Sequence, residues 1–224
     1  GARIYAMLDV EKLLAEKNYT TPDGVELRSG EYTGAPISDK QSGFEWSGEW
    51  TVTYETFRDM GMAFGVALIA IYMLVVWAFG NFTIPAIIMS PIPLTLLGIV
   101  PGHWLLGAEF TATSMIGWIA LAGIIVRNSI LMVDFTTNAF RNGMPLLDAV
   151  ILSAKSRTRP ILITALALVL GSAVILSDPI FQGMAISLLF GVFVSTLLTL
   201  VVIPLGCISA GEKAFMEHQQ PSNK

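Results

Sequence analysis

The sequence has few charged residues, one cysteine and two histidines. Only 13% of its 224 residues are Asp, Glu, Lys or Arg, whereas soluble domains average about 25%. This deficit argues against an ordinary soluble globule and against intrinsic disorder. The single Cys207 excludes an intrachain disulfide framework and a zinc cluster built on several thiolates. The net charge of −4 argues against a nucleic-acid partner.

Charged residues are absent from three long stretches, residues 60–108, 160–177 and 179–211. The residue types A, V, I, L, M, F, W, Y and C make up 54% of the chain. A helix of about 20 apolar residues crosses the hydrocarbon core of a bilayer. The fold class predicted is therefore an all-α transmembrane helical bundle. It has five spans, at about 60–79, 83–106, 111–135, 160–177 and 181–210.

The connections between these spans differ in length. Gly80–Phe82 and Asp178–Ile180 are very short, which predicts that the spans on either side of each form antiparallel hairpins. The connection Thr136–Arg159 is longer and polar. Apolar residues at helical spacing in Met144–Lys155 predict a short amphipathic helix there, lying along the membrane.

The positive-inside rule predicts the orientation. Five spans place the first and third loops and the C-terminal tail, residues 211–224, on one side. That side contains Arg141, Lys155, Arg157, Arg159 and Lys213, whereas the opposite short loops contain only Glu109 and Asp178. We therefore expect the tail to be cytoplasmic and residues 1–58 to lie outside.

The outer segment predicts a small α+β piece that precedes the transmembrane domain, 59–210. Tyr5–Lys17 has the spacing of a helix, Asn18–Ser42 has the composition of a loop, and alternating apolar residues in Phe44–Tyr54 indicate a strand or hairpin. The segment contains no signal peptide and no initiator Met. We therefore expect the chain to be the C-terminal piece of a longer membrane protein.

Arg127 is the most informative residue, because it lies about two-thirds of the way along the third span. A charge inside a span costs about 2.5–3.5 kcal/mol and usually has a partner. Arg127 either reaches the cytoplasmic surface with help from Asp134, seven residues on, or pairs with an intramembrane carboxylate on another helix. The neighbouring Asn128 is interpreted as a hydrogen-bonding contact between helices.

Arg157 and Thr164 are also seven residues apart, at the cytoplasmic start of the fourth span. Taken singly, Arg157 is an interfacial positive residue and Thr164 bonds its own helix backbone. Together on one face they would continue a polar path from the cytoplasm. Enzyme, cofactor and metal sites are not indicated, because His103 and His218 are predicted on opposite sides of the membrane and no nucleophile–base pair stands out.

Two motifs resemble a known family. Residues 123–135 read Gly-Ile-Ile-Val-Arg-Asn-Ser-Ile-Leu-Met-Val-Asp-Phe, and residues 157–164 read Arg-Thr-Arg-Pro-Ile-Leu-Ile-Thr. They resemble the tenth and eleventh helices of resistance-nodulation-division (RND) multidrug efflux pumps of the acriflavin-resistance type. Asn81–Thr95 and Phe181–Pro204 resemble the ninth and twelfth helices. Residues 1–58 resemble the end of the second large periplasmic loop.

The resemblance implies a twelve-span proton-driven drug exporter of the bacterial inner membrane, with residues 1–58 periplasmic. It implies a homotrimer that works with a periplasmic adaptor protein and an outer-membrane channel, without a cofactor. It also implies a proton relay in which a basic residue falls on Arg127, an arginine on Arg157 and a threonine on Thr164. Many members have lysine at the first position, so arginine would act here as a fixed counter-charge.

The function expected is therefore that of the C-terminal membrane portion of a drug/proton antiporter. The resemblance leaves open a metal-ion or lipid exporter of the same superfamily. A different class, a non-transporting membrane scaffold or truncated product, also stays open. The fourth-helix aspartates of the family's relay, and most of its porter domain, are absent from these 224 residues.

Overall fold

The computed structural model describes residues 3–29, 32–36, 40 and 42–216, and it divides into two units, Gly1–Met62 and Ala63–Lys224. The first unit contains helix α1 (Arg3–Lys17) and two short strands, β1 (Arg28–Ser29) and β2 (Gly43–Phe44), which pair in parallel. The Trp46 indole donates to the Glu11 carboxylate at 2.7 Å, and Met7 is buried. The helix predicted at Tyr5–Lys17 is confirmed.

The strand or hairpin predicted over Phe44–Tyr54 is wrong beyond Phe44. Helix α2 (Glu49–Phe79) begins directly after Gly48 and contains Trp50 and Tyr54. No proline or glycine interrupts Glu49–Met60. Adding a residue to an existing helix is much easier than starting a new one. The helix of the first span therefore extends toward the N-terminus through the alternating apolar residues Trp50, Val52 and Tyr54.

The second span is broken into three helices, α3 (Thr83–Met89), α4 (Pro91–Leu94) and α5 (Leu96–Leu105). Pro91 and Pro93 explain the breaks, because proline removes a backbone donor and clashes with the preceding turn. The third span is α6 (Ala112–Arg141), which begins at a capping box formed by Thr111 and Ser114.

The fourth span is α7 (Leu146–Ile175), and only residues 142–145 separate it from α6. The long polar connection Thr136–Arg159 and the separate helix at Met144–Lys155 were therefore wrong predictions, because both stretches continue the neighbouring spans as helix. Pro160 lies inside α7. Membrane helices tolerate such prolines when nearby groups satisfy the freed backbone.

The fifth span is α8 (Gln182–Met216), the central helix of the second unit, which packs against α3, α4, α5, α6 and α7. Its backbone leaves the helical conformation at Gly211, where φ is 73° and ψ is 176°. Of the predicted tail, residues 217–224, including His218, lie outside the described residues.

Apolar side chains form the core between these helices, with Ile99, Leu121, Ile125, Ile186 and Ile203 almost fully buried. Glycines let α6 and α8 approach closely: a Cβ atom at Gly117 would lie 2.9 Å from the Met184 carbonyl oxygen. In the described residues, five helical segments are long and apolar enough to cross a membrane. The predicted five-span helical bundle is confirmed.

Candidate functional site

Helix α6 has one face that the described chain leaves uncovered. Its exposed positions within residues 123–138, here called the open face of α6, are Gly123, Arg127, Leu131, Asp134 and Asn138. The opposite side is packed, and Ile125, Ser129 and Met132 are buried there. The open face therefore carries a cation and an acid on a helix whose composition is otherwise that of a membrane span.

Arg127 and Asp134 lie on the same face of α6, as their seven-residue spacing predicts, but they are not paired. Within the described part of the chain, Arg127 makes no ion pair or hydrogen bond. Asp134 instead accepts a hydrogen bond from the Asn138 amide, at 3.4 Å, one turn further along. Thus Asp134 does not neutralise Arg127 in this structure.

Arg157 on α7 lies against α6. Its guanidinium carbon is 5.7 Å from the centre of the Phe135 ring, a cation–π contact between the two helices. The Nε atom of this half-buried side chain is inaccessible and has no hydrogen-bond partner among the described residues. A buried donor without a partner is costly, so Arg157 retains an unused hydrogen-bonding group.

Thr164 and Asn128 complete the predicted site residues. The Thr164 hydroxyl donates to the Pro160 carbonyl oxygen at 3.0 Å, within its own helix. This is the bond expected when Thr164 is considered singly. Asn128 is half-buried next to the open face. The structure thus brings Arg157 to α6 through Phe135, whereas no described contact joins Thr164 or Arg127 to Arg157.

A buried hydroxyl also lacks a partner in this region. Ser129 is fully buried, and its Oγ atom makes no hydrogen bond to any described residue. By contrast, the Ser153 hydroxyl of α7 donates to the Met132 carbonyl oxygen of α6 at 2.7 Å and links the two helices. The middle of α6 therefore has a buried hydroxyl without a partner, one turn from a hydrogen bond that joins α6 to α7.

A second polar region, at the other end of α6, was missed from the sequence. The buried His103 ring contacts the Ile99 carbonyl oxygen through Nδ1, at 2.8 Å, and the Ser114 hydroxyl through Nε2, at 2.7 Å. Ser187 of α8 donates to the Ser114 carbonyl oxygen at 2.9 Å. This His103 network joins α5, α6 and α8. The sequence signal available was Thr111, a residue type preferred at helix N-caps.

A third polar contact closes the opposite end of the unit. The buried Asn81 side chain donates to the Ala214 carbonyl oxygen at 2.8 Å, and the Phe215 ring is 6.1 Å from the Phe140 ring. The turn that follows Gly211 is thereby held against the end of α6 and the connection between α2 and α3. In the described residues, no group of three or more His, Cys, Asp and Glu side chains could hold a metal ion.

Comparison with known proteins places these helices in a family. Residues 39–207 match the family described as AcrB/AcrD/AcrF. The chain is 30% identical over 202 residues, 84% of its length, to multidrug resistance protein MdtC of Erwinia amylovora. It is 30% identical over 158 residues, 67% of its length, to swarming motility protein SwrC of Bacillus subtilis.

Proteins named for metal resistance and heavy metal efflux match at similar identity. Cobalt-zinc-cadmium resistance protein CzcA of Cupriavidus metallidurans is 29% identical over 165 residues, 71% of this chain. The crystal structure of a heavy metal efflux pump superposes with a TM-score of 0.63 at 27% identity, over 74% of this chain and 17% of the pump. The chain spans 15–19% of the length of these three curated relatives.

Proposed function

Since the chain belongs to the AcrB/AcrD/AcrF family of RND transporters, we propose that it forms the C-terminal membrane portion of a proton-driven multidrug efflux transporter. The observation that carries this proposal is Arg127, a cation exposed on the open face of α6 without a partner in the described chain. In a bilayer such a cation needs protein or water beside it, because an uncompensated charge at this depth costs about 2.5–3.5 kcal/mol.

The partner proposed for Arg127 is a carboxylate on a helix from a part of the transporter outside this chain. A nearby cation favours the ionised form of a carboxylate, and a proton that neutralises the acid weakens the pair. Arginine keeps its own proton, so Arg127 holds the acid as a fixed counter-charge while the acid titrates. The arrival of a proton then breaks this contact on α6, and the departure of the proton forms it again.

Four further residues are proposed to support this exchange from the cytoplasmic side: Arg157, Thr164, Asn128 and Asp134. The unpartnered Nε–H of Arg157 leaves a donor for a group that approaches the contact between α6 and α7. Thr164 retains acceptor capacity on its hydroxyl oxygen while it donates to Pro160. Asp134 and Asn138 extend the polar stripe toward the end of α6.

The orientation and assembly of the complete transporter follow from the same proposal. Residues 1–58 would be periplasmic and the C-terminus cytoplasmic, and the complete protein would form a homotrimer with a periplasmic adaptor and an outer-membrane channel. Labelling of a cysteine at Asn138 in a Cys207→Ser background tests the orientation. A membrane-impermeant thiol reagent should reach this site only from the cytoplasmic side, and labelling from outside would contradict the topology.

Export of metal ions is the second candidate function. It is favoured by the similarity of this chain to the heavy metal efflux pump and to CzcA, at nearly the same identity as to MdtC. The described residues do not separate the two cargoes, because they contain no group of three or more His, Cys, Asp and Glu side chains that could hold a metal ion, and the chain spans only 15–19% of these relatives' length. The relay proposal is the same for both.

The test uses the complete transporter in a host that lacks its own efflux pumps. Arg127→Ala should reduce export to that of the empty vector, Arg127→Lys should retain part of it, and Arg141→Ala should resemble the parent. Arg141 is the matched control because it is also an exposed arginine of α6. Resistance to a drug panel or to divalent metal salts identifies the cargo.

Two outcomes would count against these proposals. Full export by Arg127→Ala, with normal amounts of protein in the membrane, would show that Arg127 only reaches the lipid interface. Failure of the parent transporter to confer resistance to drugs or to metals would favour a lipid cargo or a scaffold role.

A further inference from the structure

His103 is a titratable side chain that the proposed relay does not use. It is 4% exposed, at the end of α5, and it lies at the end of the unit away from Phe140 and Phe215. Histidine is the side chain whose charge most readily changes near neutral pH. A buried histidine with an ordered path to the surface is therefore a candidate site for binding a proton.

The hydrogen bonds determine which ring nitrogen is free to accept. The Ile99 carbonyl oxygen can only accept, so Nδ1 of His103 carries the hydrogen in that 2.8 Å bond. In the neutral ring Nε2 is then the acceptor, and the Ser114 hydroxyl donates to it at 2.7 Å. The only basic atom of the ring therefore faces a hydroxyl group.

Three hydroxyl groups continue from Nε2 to the surface, and we call Ser114, Thr111 and Thr113 the hydroxyl chain. The Ser114 and Thr111 oxygens are 3.4 Å apart, and the Thr111 and Thr113 oxygens are 2.8 Å apart. The far end of the chain is the Thr113 hydroxyl, which donates to the Ile180 carbonyl oxygen at 3.2 Å. Ser114 is fully buried, whereas Thr111 is exposed.

We propose that His103 is a proton-binding site that is filled along the hydroxyl chain. The Thr113 hydroxyl first turns from the Ile180 carbonyl oxygen to the Thr111 oxygen, and the Thr111 hydroxyl turns to the Ser114 oxygen. A proton from water then binds the Thr113 oxygen, and each hydroxyl passes its own hydrogen to the next oxygen inward. The Ser114 hydrogen is transferred to Nε2, so one proton enters at the surface and one arrives on the ring. The 3.4 Å separation between the Ser114 and Thr111 oxygens is the longest step.

The protonated state leaves no hydroxyl group of the chain without a partner. Nε2–H now donates to Ser114, Ser114 to Thr111 and Thr111 to Thr113, and the Thr113 hydrogen ends on the Ile180 carbonyl oxygen. The Thr111 amide, at 3.1 Å from the Ser114 oxygen, keeps its acceptor in both states. The Thr111 amide therefore has the same hydrogen-bond acceptor whether His103 is neutral or protonated.

Glycine at position 183 keeps the space that the chain needs. A Cβ atom at Gly183 would lie 2.7 Å from the Thr111 hydroxyl oxygen and 3.0 Å from the Thr113 oxygen. Any other residue at the start of α8 would push these two hydroxyls out of line. The close approach of α8 is therefore part of the geometry of the chain.

In the described part of the chain, the charged groups on the two connections that adjoin this site are acids. Helix α5 contains no charged residue, the first on α6 is Arg127 and the first on α8 is Glu212. The two adjoining connections contribute the exposed Glu109 and Asp178, and the Asp178 carboxylate accepts from the Ile180 amide at 2.8 Å. Negative charge at the mouth of the chain raises the local proton concentration.

The experiment follows the ring nitrogens by NMR in the complete transporter, labelled with ¹⁵N-histidine and placed in nanodiscs. The difference between wild type and His103→Gln identifies the His103 signals. Acidification should move the Nε2 signal to that of a protonated imidazolium. Thr111→Val should slow exchange of the Nε2 hydrogen with D₂O by about 10²-fold, the lower end of what a positioned proton-transfer group contributes.

Matched variants keep this test independent of folding. Thr111→Ser retains the hydroxyl and should restore the wild-type exchange rate. Thr137→Val is the control, because Thr137 is a buried threonine of α6 that bonds only its own helix. If His103→Gln does not fold, the difference between Thr111→Val and Thr111→Ser still identifies the signal.

Two results would overturn the proposal. One is a His103 ring that stays neutral to the lowest pH at which the transporter remains folded. The other is equal exchange in Thr111→Val, Thr113→Val and wild type, which would make His103 a purely structural contact between α5 and α6. The relay at Arg127 enters none of these measurements, so the two proposals stand or fall separately.

Discussion

The two polar regions of α6 differ in how completely the described chain satisfies them. At the start of the helix, His103, Ser114 and Ser187 all have hydrogen-bond partners. In the middle, Arg127 is exposed without a partner, and the Ser129 hydroxyl and Arg157 Nε are buried without one. Buried polar groups are stable only when they are paired. The first region is thus complete in itself, whereas the second has groups left for something else to bind.

The largest expected effect concerns the incomplete region. In the complete transporter, Arg157→Ala should reduce export to background, because it removes the buried donor and the cation at the contact between α6 and α7. Arg159→Ala is the control, since Arg159 is exposed on the same helix two residues away. Export would be measured as efflux from loaded cells. Equal loss in both variants would mean that the general positive charge matters, rather than this site.

A smaller effect is expected at the complete region. Ser114→Ala should lower the free energy of unfolding by about 1–3 kcal/mol, because it leaves His103 Nε2 and the Thr111 amide without their buried partner. Reversible unfolding in mixed micelles would measure the change. The exposed Ser177, which donates to the Val174 carbonyl oxygen at 3.3 Å, provides the comparison. An equal change in Ser177→Ala would contradict the distinction between the regions.

The smallest effect is expected where the incomplete region touches its neighbour. Phe135→Leu removes the ring beside Arg157 and should cost about 0.5–2 kcal/mol of stability, the range of cation–π contacts. A double-mutant cycle with Arg157→Ala isolates the interaction. Phe193→Leu controls for the loss of an aromatic ring, because Phe193 is 63% exposed on α8. A coupling energy of zero would show that the two side chains are merely adjacent.

The sequence predicted the spans well, because an apolar run without charge has few alternatives to a membrane helix. The ends were less predictable. α6 and α7 extend through Thr136–Arg141 and Leu146–Arg159, where polar composition resembles that of a loop, because helices continue past the bilayer core until a breaker occurs. The alternating apolar residues after Gly48 are helical for the same reason, because no breaker separates them from the first span.

The site was predictable only as far as one helix could show it. The seven-residue spacing placed Arg127 and Asp134 on one face, and the structure agrees. The sequence could not show that Asp134 bonds Asn138 instead. The His103 network was hidden for another reason: it joins residues 11 apart between α5 and α6, and 73 apart between α6 and α8. Contacts between helices have no periodicity in the chain.

Helix α8 is hydrogen-bonded to neighbouring segments near both of its ends. Ser187 bonds the Ser114 carbonyl oxygen at 2.9 Å, and Ala214 accepts from Asn81 at 2.8 Å beyond the turn at Gly211, where a positive φ suits glycine. Helix α8 cannot move along its axis relative to these neighbours unless one of the two hydrogen bonds breaks. While both hydrogen bonds hold, an axial movement of α8 also moves α6 and the α2–α3 connection. A displacement at one membrane surface is then transmitted to the other.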